Sequence, residues 1–214
     1  MPQTSDPGPI LRRYTDTPAL LYMLRRRRLT LLNPASWDDR NDSHYIDLYR
    51  ERKKLGAVLA LCFTEAGETY HHWKVFSSGN SGVCVRFKKD LLLDHLAKRS
   101  SLRIGPAQYR TLDRVRTETI ALADLPYLKR YAFRDEKEFR ILYETRNKIQ
   151  SKDVPFPLDC IDRVTINPWL NVRLADAIFD TVRALDGCSK LSIGQSSLVN
   201  NGEWKKLGAN AASL

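Results

Sequence analysis

The chain has 214 residues, with 35 Lys and Arg against 25 Asp and Glu, and a formal net charge of +10 at pH 7. Hydrophobic residues make up 43% of the sequence, which is typical of a globular protein and excludes an intrinsically disordered chain. Apolar stretches such as 57–62 are long enough for a strand only, so we expect no membrane span and no membrane partner.

The start of the chain and the cysteines indicate a cellular compartment. Residues 1–9 are polar and rich in proline, without the apolar region of a signal peptide. The four cysteines have no CxxC spacing, which argues against a zinc knuckle and against a disulfide framework. We therefore expect a cytoplasmic protein with reduced thiols and a flexible tail over 1–9.

The first half of the sequence alternates between predicted strands and helices. Thr17 is a candidate N-cap, and Pro18 suits the first turn of a helix that ends at a cluster of arginines. A long polar loop is predicted over 36–42. The predicted strands are 10–15, 29–32, 57–64 and 83–87, and the later helices are 44–54, 68–78 and 91–99.

The second half continues the mixture of strands and helices. Residues 101–110 are predicted to be extended and 111–134 helical, although Pro126 removes a backbone donor there. Apolar residues recur at helical spacing over 170–185. Roughly seven strands with helices between them indicate one α+β domain over 10–214, and their irregular spacing argues against a doubly wound sheet. The predicted strands in this half are 138–143, 161–167 and 191–193.

Common nucleotide-binding motifs are absent from the sequence. The chain has no GxGxxG, GxxxxGK[ST], HExxH or GxSxG pattern, which argues against Rossmann and P-loop nucleotide binding. The glycines at 79 and 82 have the setting of a plain turn.

The densest positive charge lies at Arg25, Arg26, Arg27 and Arg28. Clustered guanidinium groups release counterions from phosphate backbones, so these arginines are candidate nucleic-acid contacts. The alternative is a solvated helix end, because arginine also favours the C-terminal end of a helix dipole. Both interpretations stay open, whereas the shortness of the preceding helix disfavours a membrane-surface role.

Two polar clusters are candidate ligand sites. His71 and His72 are adjacent and diverge on a helix, so a structural or substrate-orienting role is favoured over metal binding. The loop from Asp38 to Asp42 carries carboxylates that suit a hard cation. Asp42 or Ser43 can equally cap the helix that follows. No metal is predicted at either cluster.

An alternating strand places a carboxylate beside a guanidinium. Glu138 and Arg140 project from one face of this predicted strand, and Phe139 and Ile141 project from the other. One interpretation is a cross-strand ion pair at a solvated surface. The other is a glutamate held above a cleft, where it accepts a hydroxyl proton or stabilises an oxocarbenium-like centre.

Four blocks of sequence occur in an order that resembles a known family. They are RYT at 13–15, LTLLNP and WDD within 29–42, LCFT and GVCVRF within 61–87, and EKEFRIL at 136–142. In this order they resemble a bacterial family of domains of unknown function that is found in phage-defence and mobile loci. The resemblance covers most of the chain.

The same blocks also resemble the ADP-ribosyltransferase fold, which includes toxins that modify DNA or RNA. This resemblance implies a mixed, mainly antiparallel split sheet with flanking helices, and NAD as the substrate. It implies that the carboxylate of the late strand stabilises a ribosyl cation and that an arginine of the first strand anchors the NAD pyrophosphate. The implied NAD-binding residues are Arg13, Tyr14, Thr64, Tyr70 and Trp73, with Tyr70 or Trp73 stacking on the nicotinamide, and the implied catalytic residues are Glu138 and Arg140.

Three functions are consistent with the sequence. The leading hypothesis is an ADP-ribosyltransferase-like defence effector or toxin with a nucleic-acid acceptor, for which an antitoxin or defence-system protein is a candidate partner. The second is a metal-dependent nuclease. The third is a non-catalytic basic module that binds nucleic acid or an acidic protein. The nuclease would use Asp39, Asp42, Glu136, Lys137 and Glu138.

Overall fold

The structure, a computed structural model, describes residues 8–77 and 79–211, without the side chain of Ser36. Of the predicted tail 1–9, residues 1–7 lie outside the described residues. The strands are β1 (Ile10–Asp16), β2 (Arg28–Leu32), β3 (Ala57–Thr64), β4 (Gly82–Lys88), β5 (Leu102–Pro106), β6 (Gln108–Arg110), β7 (Leu128–Arg130), β8 (Glu138–Thr145), β9 (Ser151–Pro155), β10 (Ile161–Ile166) and β11 (Ile193–Gln195). The α-helices are α1 (Thr17–Arg26), α2 (Arg40–Arg52), α3 (Tyr70–Phe76), α4 (Lys89–Ala97), α5 (Leu112–Thr117), α6 (Val172–Arg183) and α7 (Gly202–Ala211).

Most of the strands belong to one branched sheet. Its main path runs β11-β10-β4-β1-β3-β2-β9, and β8 pairs off this path with both β3 and β5. The pairs are antiparallel except for β10 with β11, and β6 and β7 form a separate parallel pair. The predicted mixed, mainly antiparallel sheet with flanking helices is therefore confirmed.

The sheet divides at β3, which has three neighbours. β3 pairs with β8 along its whole length, ending at Thr64 opposite Glu138. β1 meets β3 at a single register pair, Arg12 with Thr64, and is otherwise paired with β4. Beyond Arg12 the two strands separate, and Arg13 Nη1 spans the gap by donating to the carbonyl oxygen of Cys62 at 3.2 Å.

The main hydrophobic core lies between one face of the sheet and helices α1, α4 and α6. Leu11 and Leu59 of the sheet are buried there with Leu24, Leu92 and Val182 of the three helices. A second cluster packs α2 onto the opposite face. Because both faces of β8 are covered, its first five residues are all buried, and the predicted solvated ion pair at this strand is wrong.

Side-chain caps explain where α2 begins. Asp39 Oδ1 accepts hydrogen bonds from the backbone N–H groups of Asn41 at 3.1 Å and Asp42 at 3.4 Å. The polar loop predicted over 36–42 therefore ends in a helical turn. Asp42 is not the cap, because its side chain lies inside the protein.

Caps also shift the starts of two other helices. Asp16, rather than Thr17, caps α1, since its Oδ1 accepts from the N–H of Ala19 at 2.7 Å. Asn171 Oδ1 accepts from the N–H of Arg173 at 3.0 Å, so α6 starts two residues after the predicted start at 170. Both changes follow from a side-chain acceptor that satisfies an unpaired amide of the first turn.

The helix predicted over 111–134 is wrong, because only α5 is α-helical in that range. Two 3₁₀ segments, Leu122–Tyr127 and Tyr131–Glu136, flank the short strand β7. Pro126 lies inside the first of them and lacks the amide that a continuous helix needs. β9 and α7 are further elements that the sequence patterns do not predict.

In the described part of the chain, every helix is too short or too polar to cross a lipid bilayer.

Candidate active site

A cavity of about 410 Å³ lies at the branch of the sheet, where β1, β3 and β8 come together. This volume falls within the range of ordinary small-molecule sites. The cavity brings Arg13, Tyr14, Thr64 and Glu138 of the sequence-predicted site into one lining. The charged lining residues are Arg12, Arg13, Asp38, Asp39, Asp42, Lys129, Glu136 and Glu138, and the aromatic ones are Tyr14, Trp37, Phe63, Phe76 and Phe133.

The strand register forms one row of polar side chains across the cavity. Thr64 of β3 lies opposite Arg12 of β1 on one side and opposite Glu138 of β8 on the other. Directly opposed residues of antiparallel strands project from the same face of a sheet. Arg12, Thr64 and Glu138 therefore share a face. Arg13 is the next residue of β1 and starts from the opposite face, and it joins the cavity lining where its side chain crosses the gap between β1 and β3.

The Glu138 carboxylate is fixed by two cations. Its Oε2 accepts from Lys129 Nζ at 2.8 Å, and its Oε1 accepts from Arg140 Nε at 2.9 Å. Its backbone N–H donates to the hydroxyl of Tyr109 at 2.8 Å. Glu138 is only 6% exposed, so these partners hold it in one orientation at the cavity wall.

Charge in this region determines the protonation of Glu138. Burial raises the pKa of its carboxyl, but the charge and hydrogen bonds of Arg140 and the charge of Lys129 outweigh burial and lower the pKa to about 2. Burial alone lowers the pKa of Lys129, and the charges of Glu138 and Glu136 reverse that effect and raise it. At neutral pH the strand therefore presents an ionised carboxylate beside an ammonium.

Two further carboxyls complete this charged cluster. Glu136 Oε2 accepts from Lys129 Nζ at 2.6 Å. Asp42 receives both terminal nitrogens of Arg140, with Nη1 to Oδ1 at 2.7 Å. Burial raises the pKa of Glu136 and of Asp42, and the neighbouring cations offset only part of that rise. Glu138 is thus the carboxyl of the three that the surroundings hold most firmly in its charged form.

Arg140 lies below the cavity and does not line it. The side chain is 0% exposed and donates to Glu138, Asp42 and the carbonyl oxygen of Pro126. Its guanidinium carbon lies 5.4 Å from the ring centre of Trp37. The resemblance implied a catalytic role for Arg140, but its side chain does not reach the cavity. Arg140 instead positions the carboxylates that do reach the cavity.

The aromatic residues predicted to stack on nicotinamide lie elsewhere. Trp73 is 1% exposed, and its ring packs edge-on against Tyr14 at 5.1 Å. Tyr70 is 57% exposed and contacts Trp169 outside the cavity. The helix α3 turns these two rings away, and Trp37, Phe76 and Phe133 line the cavity in addition to Tyr14 and Phe63 of the sheet.

The two adjacent histidines point in different directions, as predicted. His72 is buried, its Nδ1 lies 2.5 Å from Thr69 Oγ1, and its ring stacks on Tyr14 at 5.5 Å. His71 is exposed. Burial lowers the pKa of His72, which keeps the ring neutral at physiological pH. His72 thus supports the cavity floor around Tyr14.

The arginine cluster lies apart from the cavity, at the junction of α1 and β2. Arg25, Arg26, Arg27 and Arg28 are all exposed. Arg27 has a left-handed backbone conformation with φ of 53° and pairs with Asp186 at 2.6 Å. The remaining three arginines have no ion-pair partner among the described residues, so the cluster is a charged surface outside the candidate site.

The nuclease hypothesis depends on carboxylates that could hold a metal. Within 8–77 and 79–211, no group of three or more His, Cys, Asp and Glu side chains has the arrangement of a metal site. The oxygens of Asp42, Glu136 and Glu138 are directed at Lys129 and Arg140 instead. The lysine of the cluster is Lys129 of β7, and not Lys137.

Sequence reasoning missed Lys129 and Arg12. Lys129 fell in the range predicted as helix, and the apolar segment 125–128 before it was the available sign of a buried strand. Arg12 and Arg13 are distinguished by strand register alone. A single sequence does not reveal that register, and the prediction therefore named Arg13 and left out Arg12.

Comparisons with known proteins give distant likenesses. No protein-family model matches the chain, and no curated protein matches it. Among solved structures, it is similar to Thermus sp. 2.9 DarT in complex with ADP-ribosylated ssDNA, with a TM-score of 0.48 and 11% identity over 92% of this chain and 98% of that chain. The same protein in complex with NAD+ gives a TM-score of 0.45 and 9% identity over 90% and 98% of the two chains. The carba-NAD+ complex gives 0.44 and 10% over 88% and 96%.

Proposed function

We propose that the chain is an ADP-ribosyltransferase that uses NAD as its substrate in the 410 Å³ cavity. One observation carries this proposal. Glu138, fixed in its ionised form by Lys129 and Arg140, lines the same cavity as Arg12 and Arg13. An immobile carboxylate and two guanidinium groups are what a ligand with a cationic reaction centre and a pyrophosphate requires.

The proposed reaction transfers the ADP-ribosyl group from nicotinamide to an acceptor. The bond between nicotinamide nitrogen and ribose carbon breaks, and its electron pair leaves with nicotinamide. The acceptor nucleophile forms the new bond to that carbon and loses its proton. Glu138 stabilises the positive charge that develops on the ribosyl group, because its carboxylate needs no reorganisation to face that charge.

The lining suits the two halves of such a substrate. Arg12 and Arg13 of β1 can pair with the pyrophosphate, because a guanidinium binds two phosphate oxygens at once. Trp37, Phe76 and Phe133 offer aromatic surface for the nicotinamide ring. These assignments replace Tyr70 and Trp73 of the sequence analysis, which do not line the cavity.

The acceptor that we propose is a nucleic acid, and the biological setting is bacterial defence or a toxin with an antitoxin or defence-system partner. The net charge of +10 and the exposed arginines at 25–28 favour a polyanionic acceptor. Specific binding of a nucleic-acid strand would bring the nucleophile of the acceptor to the mouth of the cavity.

The test replaces Glu138 by glutamine, which preserves size and removes the charge. With labelled NAD and a single-stranded oligonucleotide, we expect NAD hydrolysis and ADP-ribosyl transfer to fall by about 10²–10³-fold. Glu203→Gln is the matched control, because Glu203 is an exposed acid on α7. A Glu138→Gln variant with the wild-type rate would show that this carboxylate is not catalytic.

A second measurement tests substrate binding separately from turnover. Specific binding of NAD to the folded chain raises its melting temperature by mass action. If the wild-type protein shows neither this stabilisation nor turnover of NAD, the proposal fails, and binding of nucleic acid without any turnover would support the non-catalytic module. Activity that is lost with EDTA and needs no NAD would instead support the nuclease.

A further inference from the structure

A second concavity lies beside the candidate active site, on the same face of the sheet. Its volume is about 190 Å³, and Arg12 lines both cavities. The strand register places Arg12 of β1 opposite Arg86 of β4, and Arg86 opposite Arg163 of β10. Three arginines thus stand in one row across three adjacent strands. We name this concavity the arginine cleft. The three arginines line it together with Ser196 and Ser197.

A β-bulge creates this row. The register between β4 and β10 shifts between Ile161 and Arg163, so that Asp162 is the extra residue. Such a bulge re-aims the side chains next to it. Asp162 pairs with Arg86 at 2.9 Å, and Arg163 is brought onto the face of the cleft.

The neighbouring strand leaves space for Arg163. A Cβ at Gly194 of β11 would lie 2.7 Å from Arg163 Nη2, which is closer than two such atoms can approach. Glycine at this position therefore lets the guanidinium lie across the backbone of β11. A side chain at 194 would require the end of the Arg163 side chain to shift.

The charges of the cleft are unbalanced. Two acids lie close to its three arginines: Asp162, which pairs with Arg86, and Glu68, which lines the cleft. Glu68 Oε1 already accepts from Trp73 Nε1 at 2.7 Å and from the Ser196 hydroxyl. Like charges directly opposite each other on neighbouring strands destabilise a sheet. The row therefore carries excess positive charge.

Two guanidinium nitrogens of the row have no acceptor. Among residues 8–77 and 79–211, the Nε atoms of Arg86 and Arg163 are buried without a hydrogen-bond partner. Arg163 also has no ion pair with any described residue. A buried donor without an acceptor is unfavourable. An anion bound in the cleft would supply the acceptors that the residues of the cleft do not.

We propose that the arginine cleft binds a phosphoryl group. Guanidinium forks pair with tetrahedral phosphate oxygens two at a time, and a concavity of about 190 Å³ holds one or two such groups. The Ser197 hydroxyl accepts from Asn201 Nδ2 at 3.0 Å and keeps its own proton for donation. A phosphoryl group here comes from the backbone of a nucleic acid or from a nucleotide, and the test separates the two sources.

The test uses the full chain without NAD, and it changes Arg163 and Ser197, which line the arginine cleft and not the candidate active site. A failure of this proposal is therefore distinguishable from a failure of the proposed enzymatic function. In one arm, labelled single-stranded oligothymidine is titrated at several salt concentrations and followed by fluorescence anisotropy. In the other arm, binding of ADP is measured by calorimetry. The variant is Arg163→Gln, and the matched control is Arg173→Gln, an exposed arginine on α6 without an ion pair to a described residue.

We expect Arg163→Gln to weaken binding in at least one arm by about tenfold, the loss of one charge-assisted hydrogen-bonding group. Weaker oligothymidine binding, with a salt slope reduced by about 0.7, identifies a backbone phosphate. Weaker ADP binding identifies a nucleotide phosphate. Arg173→Gln should change neither value.

A second variant keeps the proposal testable if Arg163→Gln does not fold. Ser197 lies on an exposed loop, so Ser197→Glu should fold normally while its carboxylate repels an anion from the cleft. We expect it to weaken the same arm as Arg163→Gln. If both folded variants, or Ser197→Glu alone where the other unfolds, bind oligothymidine and ADP as tightly as the wild type, the proposal is overturned.

Discussion

Replacing Arg140 by methionine removes the cation that joins Asp42 to Glu138. The guanidinium is 0% exposed, and both carboxylates are buried with it. Breaking a buried ion pair from one side costs about 3–5 kcal/mol, because the remaining charges lose their compensation. For a chain of this size, each kcal/mol lowers the melting temperature by about 2–4 °C, so Arg140→Met should lower it by roughly 6–20 °C.

The loss should depend on pH in a defined direction. The folded-state pKa of Glu138 is about 2, below its ordinary value of 4.5. A depressed carboxyl pKa contributes stability that is present above the unfolded value and is lost as the pH falls toward the folded value. Without Arg140 the larger part of this contribution is lost, and Lys129 supplies the rest. The stability difference between wild type and variant should therefore be largest above pH 5 and should shrink as the pH falls toward 2.

The assay is urea unfolding followed by circular dichroism at several pH values. Arg116→Met is the matched control, because Arg116 and Asp113 form an exposed ion pair whose loss should cost less than about 1 kcal/mol. If Arg140→Met unfolds within about 1 kcal/mol of the wild type at pH 7, or if its deficit is the same at pH 3 and pH 7, the carboxylates do not depend on this guanidinium and the reasoning is refuted.

Two substitutions and one labelling experiment test the site and the fold. Lys129→Met removes one of the two cations beside Glu138 and should move the acid limb of the pH profile of the proposed NAD turnover upward by about 1–3 pH units; an unchanged limb would contradict the pairing. Gly56→Ala should destabilise the chain by about 1–3 kcal/mol in urea unfolding, because the new Cβ would lie 2.2 Å from a backbone carbonyl oxygen, whereas Gly67→Ala, which meets nothing within 4 Å, should be neutral. Burial raises the pKa of the Cys84 thiol to about 12, so mass spectrometry after iodoacetamide treatment at pH 8 should find it unmodified in the folded chain and alkylated in urea; labelling of the folded chain would show that the thiol is accessible.

The strands that follow from the sequence are those with a strong local signal. β3 has the predicted bounds, because 57–64 is an apolar run that both faces of the sheet bury. β8 begins at Glu138 as predicted and extends two residues beyond the predicted end at 143. The two-residue period of a strand also places Glu138 and Arg140 on one face.

The environment of that pair depends on residues far away in the chain. Arg140 is buried because Asp42 of α2 and the carbonyl oxygen of Pro126 meet its guanidinium. Neither partner has a sequence signal that connects it to 140. The same pattern of alternating charges is compatible with an exposed strand, and tertiary contacts alone decide between the two.

The aromatic residues of α3 also have an environment that the sequence alone does not determine. Trp73 and Tyr70 lie in a segment too short for a clear helical period, and the sequence therefore does not determine which ring faces inward. In the structure, Trp73 packs on Tyr14, and the ring of Phe76 is the one from this helix that reaches the cavity. The contact with β1 fixes the rotation of the helix.

The small sheet formed by β6 and β7 affects the fraction of molecules in which Glu138 is held by all of its partners. This pair is three residues long in each strand and stands apart from the main sheet, yet it supplies both the Lys129 ammonium and the Tyr109 hydroxyl that hold Glu138. Short peripheral elements open locally at a lower free energy than the whole molecule. Opening of this small pair would therefore leave Arg140 as the cation beside the carboxylate. We expect amide exchange at 108–110 and 128–130 to report this opening while the nine-stranded sheet stays intact.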